Sequence, residues 1–195
     1  NNPLIPPMRA NAVIANPSVH NMYYCLRHYF ANGGGPCYIV SVGPTGGGLD
    51  PEELEGTVAG NSGGGLAALA ACDEPTLIVF PEGQGLLEVE YYSLIGAAIN
   101  QCRDLQDRFV LMDVHTTILN GQIADTTATI AQFRAQFVHN NNLNYGAAYY
   151  PNLRTTYNYS YVRQNVQVDT IIDGGAPVNT TLDLLEQSDT AVFNL

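Results

Sequence analysis

Apolar residues in this chain fall into two patterns, and the alternation between them predicts the fold. Short unbroken runs, "CYIVSV" (37–42), "TLIVF" (76–80), "RFVLMDV" (108–114) and "YGAAYY" (145–150), have the length and the β-branched or aromatic content of buried strands. Between them, apolar residues recur at three- and four-residue steps, the period of one helix face. Val19, Tyr23, Leu26 and Phe30 form such a stripe in "SVHNMYYCLRHYF" (18–30). Val89, Tyr92, Ile95 or Gly96, and Ile99 form another over 88–104, and Ile130, Phe133 and Phe137 a third over 126–138. "GLAALAAC" (65–72) predicts a short buried helix. Asp50–Leu54 predicts an acidic helical turn, because carboxylates suit the positive end of a helix dipole. Strands alternating with helices predict an α/β fold, a mostly parallel or mixed sheet flanked by helices on both faces.

Local punctuation supports these boundaries. Asn16-Pro17 supplies an N-cap and a proline for the first helical position, and Asn32-Gly33 supplies the left-handed stop. Beyond Pro151 the period changes. Tyr157, Tyr159 and Tyr161, then Val166 and Val168, alternate as in a half-exposed strand pair. "DGGAP" (173–177) is a turn signal, and "TLDLLEQ" (181–187) predicts a terminal helix. Residues 1–153 are thus expected to form an α/β core with a proline-rich, extended lead-in. Residues 154–195 are expected to add a Tyr-rich, hairpin-like segment to the same domain.

Composition narrows the partners. The chain has 195 residues, 46% hydrophobic and 13% charged, enough to bury a sizeable core. Its seven basic residues are all arginine, and against 18 acidic residues they leave a formal net charge of -11. Such a chain lacks the basic footprint that nucleic acid or an anionic membrane requires, so neither is expected as a partner. No apolar run has the length needed to span a bilayer. Cys25, Cys37, Cys72 and Cys102 lie in apolar segments without CxxC spacing, which predicts four reduced core thiols and manufacture in a cytoplasm, with two disulfides as the weaker alternative. The chain begins at Asn1 rather than Met, as a piece of a longer protein would.

Candidate chemistry is sparse. Gly33-Gly34-Gly35 follow a helix and precede a strand, so carbonyls rather than amides face outward there, the wrong end of a helix for phosphate. Gly46-Gly47-Gly48 follow a strand, but the chain has no lysine and therefore no phosphate loop; no cofactor is expected. "GNSGGG" (60–65) offers Ser62 as a nucleophile, with Asp113 and His115 at the end of the third strand as acid and base. This subtilisin-like or other α/β hydrolase reading is the alternative, although no GxSxG elbow is present. His20 and His28 stand eight apart without a carboxylate in register, His139 sits in an Asn-rich turn, and no metal site is expected. Glu82, Glu88 and Glu90 could pair as hydrolytic acids, yet a helix start accounts for acids at those places. Arg103-Asp104 and Asp107-Arg108 flank the third strand and suit salt bridges or subunit contacts. The twelve tyrosines, dense at 23–38, 91–92 and 145–161, suit surfaces that meet protein neighbours.

Several segments, taken in order, resemble contractile tail sheath proteins, above all those of phage-tail-like extracellular contractile injection systems. They are "YYCLRHYFANGGGPCYIVSVG" (23–43), "LAALAACDEPTLIVFPE" (66–82), "YYSLIGAAINQCRDLQDRFVLMDV" (91–114) and "YGAAYYPNL" (145–153). Order and approximate spacing agree over about two-thirds of the chain. The resemblance implies a structural subunit, not an enzyme, with a core of subtilisin-like topology. Such subunits stack as hexameric rings around an inner tube, and the contracting sheath drives that tube through a target envelope without consuming nucleotide. The implied partners are other sheath subunits, the inner tube protein, and baseplate and terminator proteins, assembled in a bacterial cytoplasm as part of a virion or phage-tail-like particle. The family's N-terminal arm and C-terminal domain have no recognisable counterpart in these residues, and Asn152 stands where the family more often has an aromatic residue. A two-state sheath must exchange contacts between states. The expected subunit contacts are Arg103, Asp104, Asp107, Arg108, Arg154, Tyr157, Tyr159 and Tyr161.

Overall fold

An extended segment becomes a strand when its backbone finds a ladder, and the apolar runs differ in whether they find one. The computed structural model describes residues 9–14, 20–44, 48–57, 63–116, 118–119, 122–123, 125–137, 141–153, 155–157, 160–172 and 180–184. Its elements in chain order are β1 (Arg9–Ile14), α1 (Met22–Ala31), α2 (Pro51–Glu55), α3 (Gly65–Leu69), β2 (Leu77–Ile78), α4 (Glu88–Leu105) and β3 (Phe109–Asp113). They continue with β4 (Ile118–Leu119), β5 (Gln122–Ile123), α5 (Thr126–Phe137), β6 (Gly146–Tyr149), β7 (Val166–Ile172) and β8 (Thr180–Thr181). Contacts divide the chain into two units, Val19–Leu153 and a second built from Asn1–Ser18 with Arg154–Leu195. The lead-in therefore belongs with the C-terminal segment, whereas the sequence placed it with the core.

In the larger unit β2, β3 and β6 form a parallel sheet in that order, giving the expected α/β class. Leu77 lies opposite Phe109, and Val110 opposite Gly146. The helix α4 covers one face. Its Leu94, Ile95, Ala98, Ile99 and Cys102 are buried, and they share one cluster with Ile78, Val110 and Met112 of the sheet. Leu66 of α3, Leu86, Tyr91 and Tyr92, and Phe137 of α5 belong to the same cluster. The apolar steps along α4 put these residues on one side of the helix, and each fully buried aliphatic side chain contributes about 1.5–3 kcal/mol. The ends are fixed by sequence: the Glu90 carboxylate accepts from the Leu87 amide at 3.1 Å, and Gln106 stops the helix at φ 61. Asp50 caps α2 at the Glu52 amide (2.9 Å), with Pro51 in the first turn, and Asp125 caps α5 at the Ala128 amide (2.9 Å).

The second face of the sheet is not covered as expected. Leu77 and Val79 are 57% and 55% exposed, Tyr149 is exposed, and Phe109 and Leu111 are half-buried. "TLIVF" is thus an edge strand of alternating burial, with a ladder over Leu77–Ile78 alone. "CYIVSV" is not a buried strand: residues 37–42 make no ladder, and Tyr38 and Ile39 are each 58% exposed. β-Branched content fits a pleated, half-buried surface but does not supply a neighbour. The expected apolar stripe of α1 is likewise open, because Tyr23 and Phe30 are exposed and no residue of α1 is buried. Asn32 and Gly33, the latter at φ +85, do end α1 as predicted. Gly65, at φ +50, lets α3 start against α2; a Cβ there would strike the Leu54 carbonyl oxygen. Of the four cysteines, all free, Cys102 alone is a core residue, whereas Cys25 and Cys37 are exposed and Cys72 is half-buried.

The smaller unit is a three-stranded antiparallel sheet in the order β1-β7-β8. Arg9 pairs with Ile172 and Ile14 with Val166, with a bulge between Asn11 and Ala12. Val166 and Val168 are buried. Tyr157 and Tyr161, expected in the strand pair, lie outside any strand, and an irregular stretch and a short 3-10 turn (Arg163–Asn165) lead into β7 instead. Residues 182–184 are helical, which is the described part of the expected terminal helix. The N-cap pair Asn16-Pro17 and the turn at 173–177 lie outside the described residues. Among the described residues no helix is long and apolar enough to cross a membrane.

The two faces of the parallel sheet should differ in energetic weight. Ile99→Ala is expected to cost about 2–4 kcal/mol in urea unfolding, the usual loss for a filled core site. Leu77→Ser, on the open face, is expected to stay within about 0.5 kcal/mol of the parent. Equal losses would show that the second face is covered in the isolated chain.

Candidate functional site

Parallel strands end along one edge of their sheet, and polar groups of α/β proteins gather there. In the larger unit this edge is tied to α4 by two adjacent tyrosines. The Tyr91 hydroxyl donates to the Asp113 carbonyl (3.0 Å) and accepts from the Asp113 amide (3.2 Å). The Tyr92 hydroxyl accepts from the His115 amide at 3.0 Å. Both rings are buried, so this tyrosine pair belongs to the core rather than to a surface for neighbours. Burial, and then the Asp113 carboxylate, push the Tyr91 phenol well above its ordinary pKa. The loop beyond β3 is held by Gln84, whose Oε1 accepts from the Thr116 amide (3.2 Å), and by Asn152, whose Nδ2 donates to Thr116 Oγ1 (3.0 Å).

Glu82 stands at the same edge. Its carboxylate accepts from the amides of Asn21 (2.8 Å) and Met22 (3.0 Å) and lies 3.7 Å from His20 Nδ1. These are the unpaired amides that open α1, so a carboxylate distant in sequence performs the capping that Asn21 itself does not. Although Cys25 as a residue is exposed, partial desolvation raises its thiol pKa, and the nearby Glu82 and Asp113 carboxylates raise it further. Desolvation also raises the Asp113 carboxyl.

The three residues of the hydrolase alternative stand as follows. Ser62 lies outside the described residues. His115 Nε2 donates to the Leu86 carbonyl at 3.0 Å, and the ring lies 5.8 Å from that of Tyr91. Among the described residues, the Asp113 carboxylate has no hydrogen bond to His115. Glu88 and Glu90 do start a helix, α4, while Glu82 serves the start of α1. Among the described residues no three His, Cys, Asp or Glu side chains are grouped to hold a metal ion. His139 lies outside them.

The expected contact residues separate into surface and interior. Arg103 and Asp104 form an exposed ion pair at 2.7 Å. Arg108 requires a correction. Its side chain is 0% exposed, its Nε bonds Asp107 Oδ1 at 2.7 Å, and both terminal nitrogens donate to carbonyls, NH1 to Leu69 and NH2 to Cys72, each at 2.9 Å. It gathers the carbonyls where α3 ends, so it cannot be exchanged between neighbouring subunits without unfolding that corner. Asp107 forms the second side of this clamp, and Arg108 holds its carboxyl below the usual range. Tyr157 is half-buried and Tyr161 exposed; Arg154 and Tyr159 lie outside the described residues. The open surface instead carries Tyr23 and Phe30, 63% and 54% exposed, with Tyr38, Ile39 and Val40. Apolar pattern alone could not single these out, since it is the same for a covered and an uncovered helix.

No protein-family model matches this chain, and no curated protein matches it.

The Arg108 clamp and the Arg103 pair should respond differently to truncation. Arg108→Ala is expected to cost about 2–3 kcal/mol, because the Cys72 carbonyl loses its charged donor, the Leu69 carbonyl one of its two, and Asp107 its ion pair, whereas Arg103→Ala should lie within about 0.5 kcal/mol. Asp107 has a lowered folded-state pKa, so its contribution is present above the unfolded pKa and is lost as pH falls through the folded one. The difference in melting temperature between the parent and Asp107→Asn should therefore shrink on acidification. Glu82→Ala should release the start of α1, read as faster amide exchange over residues 21–25 with the exchange of α4 unchanged. Unaltered exchange in α1 would remove Glu82 as its cap.

Proposed function

We propose that this chain is a structural subunit of a contractile, tail-like sheath, packing with copies of itself around an inner tube and contracting to drive that tube through a target envelope. The observation that carries the reading is the unfinished cover of the larger unit. Its sheet has one face packed under α4 and one left apolar and open, and no residue of α1 is fully buried. Contiguous exposed apolar surface marks interaction sites in soluble proteins. A subunit whose second layer is supplied by its neighbours has this character. The ordered resemblance of the segments 23–43, 66–82, 91–114 and 145–153 to sheath proteins gives the assembly its kind. On this reading the subunit is not an enzyme and needs no cofactor, the side chains at the strand ends being braces. The energy of the stroke is held in contacts between copies, which differ between two packings.

Co-expression with the inner tube protein, followed by negative-stain electron microscopy, tests the proposal. Striated tubes or stacked six-fold rings are expected. Globular monomers alone, with the tube protein present, would overturn it.

A further inference from the structure

The parallel sheet has an edge that no described strand covers. Its strands follow chain order, β2-β3-β6, so β3 is interior and β2 has one neighbour. The Phe109 amide donates to the Thr76 carbonyl at 2.9 Å, which turns the backbone groups of Thr76 and Ile78 towards β3. The amides and carbonyls of Leu77 and Val79 therefore point away from β3. Among the described residues no strand pairs with that side of β2. Edge strands are ordinarily blunted by charge or proline. The stretch Thr76–Val79 contains neither.

Residues 37–42 are the complementary case. "CYIVSV" has no charge, proline or glycine, and Pro36 and Gly43-Pro44 bracket it. Its amides and carbonyls make no backbone hydrogen bond among the described residues. Topology assigns it a place beside β2. The connections β2-α4-β3 and β3-α5-β6 step across the sheet in one direction, with helices that pack in one cluster. The connection from residue 42 to β2 contains α2 and α3, and their Leu54 and Leu66 pack in that same cluster. Crossovers between parallel strands keep one hand, so a strand entering through these helices falls on the side of β2 away from β3. Both ends of the segment are held nearby. Upstream, Glu82, four residues past Ile78, holds the first turn of α1. That helix has ten residues, about 15 Å, against about 20 Å for six extended ones, so the chain can return along β2. Downstream, a Cβ at Gly43 would come within 3.1 Å of Glu53 Oε2, which sets the exit against α2.

We propose that residues 37–42 are a two-state strand, unpaired in this structure and, in the second state, seated parallel on the free edge of β2 of the same chain. Exposure fixes which way the strand faces. Along the alternate positions Tyr38, Val40 and Val42 it falls from 58% through 38% to half-buried, while Ile39 stays at 58%. The first set thus joins the packed face with Ile78, and Ile39 joins the open face with Leu77 and Val79. In a parallel ladder the residues that flank the one opposite Leu77 make the bonds to it, so the amides of the first set point at β2. Closure covers an edge that is otherwise a template for another chain. It goes beyond the assembly reading above and does not depend on it.

Amide exchange of the 195-residue chain, read residue by residue by NMR, tests this. The Leu77 and Val79 amides are expected to exchange about a hundredfold or more slower than in an unfolded chain, because closure gives them acceptors. Val40→Pro removes a donor aimed at β2 and should abolish that protection. Ile39→Pro removes one aimed away from it and should leave most of the protection in place. The Ile78 amide, which faces β3, should stay protected in both variants and reports that the sheet is intact. Fast exchange at Leu77 and Val79 in the parent would overturn the proposal, and so would protection that survives Val40→Pro. Protection that grows with protein concentration would overturn closure within one chain, since a second copy would then fill the edge.

Discussion

The larger unit depends on the seam between α4 and β3. Ile95, Ala98, Ile99 and Cys102 of the helix and Val110 of the strand are all at 0% exposure, which leaves no solvent between the layers. Close packing of this kind fixes distance but permits sliding, since dispersion contacts have little direction. Direction comes from the end of the seam, where the Tyr91 and Tyr92 hydroxyls bond the backbone of Asp113 and His115. The adjacent β2 and β6 inherit their positions from β3 through the ladder, and α3 is drawn to the other end of the seam by Arg108.

That organisation leaves one layer short. A three-stranded parallel sheet with helices gathered on a single face still presents apolar side chains on the other, and α/β folds ordinarily cover both. The chain has the material for a cover in α1 and residues 37–42, yet neither lies over the open face as a buried layer, and Glu82 holds the first turn of α1. The proposed sheath function uses this incompleteness. A subunit that finishes its surface by packing against neighbours couples its own stability to the lattice it enters, so a change of packing is also a change in the subunit's energy.

Much of this was legible in the sequence where one local face decided the outcome. The helices α4 and α5 and the strand β3 follow from apolar steps and runs, because each buries one side against a single core, whereas β6 forms where a buried strand was expected but has no buried residue. Long-range partners were not legible. The pairing of Arg9 with Ile172 joins the two ends of the chain, and nothing near Arg9 announces it. Glu82 was correctly placed at a helix start but assigned to the helix that follows; it serves one 61 residues earlier. Arg108 has the charge of a rim residue and the position of a core one, a choice settled by carbonyls from α3 that the local sequence does not contain. Asn120-Gly121, set between the short strands β4 and β5, is a hairpin signal that a reading in terms of parallel units passes over. Among candidate site residues, type and position suggested pairs, while burial decided which were free to act.

The division of the parallel sheet into a packed face and an open face also bears on how such a sequence can drift. Ile78, Val110 and Met112 are constrained from within, by α4, whatever the chain associates with. Leu77, Val79 and Tyr149 are exposed and Leu111 is half-buried, so the core constrains them less. Neighbouring positions along one strand therefore record two histories. One set preserves the volume of a private core, and the other follows whatever surface meets the open face, changing when that surface changes.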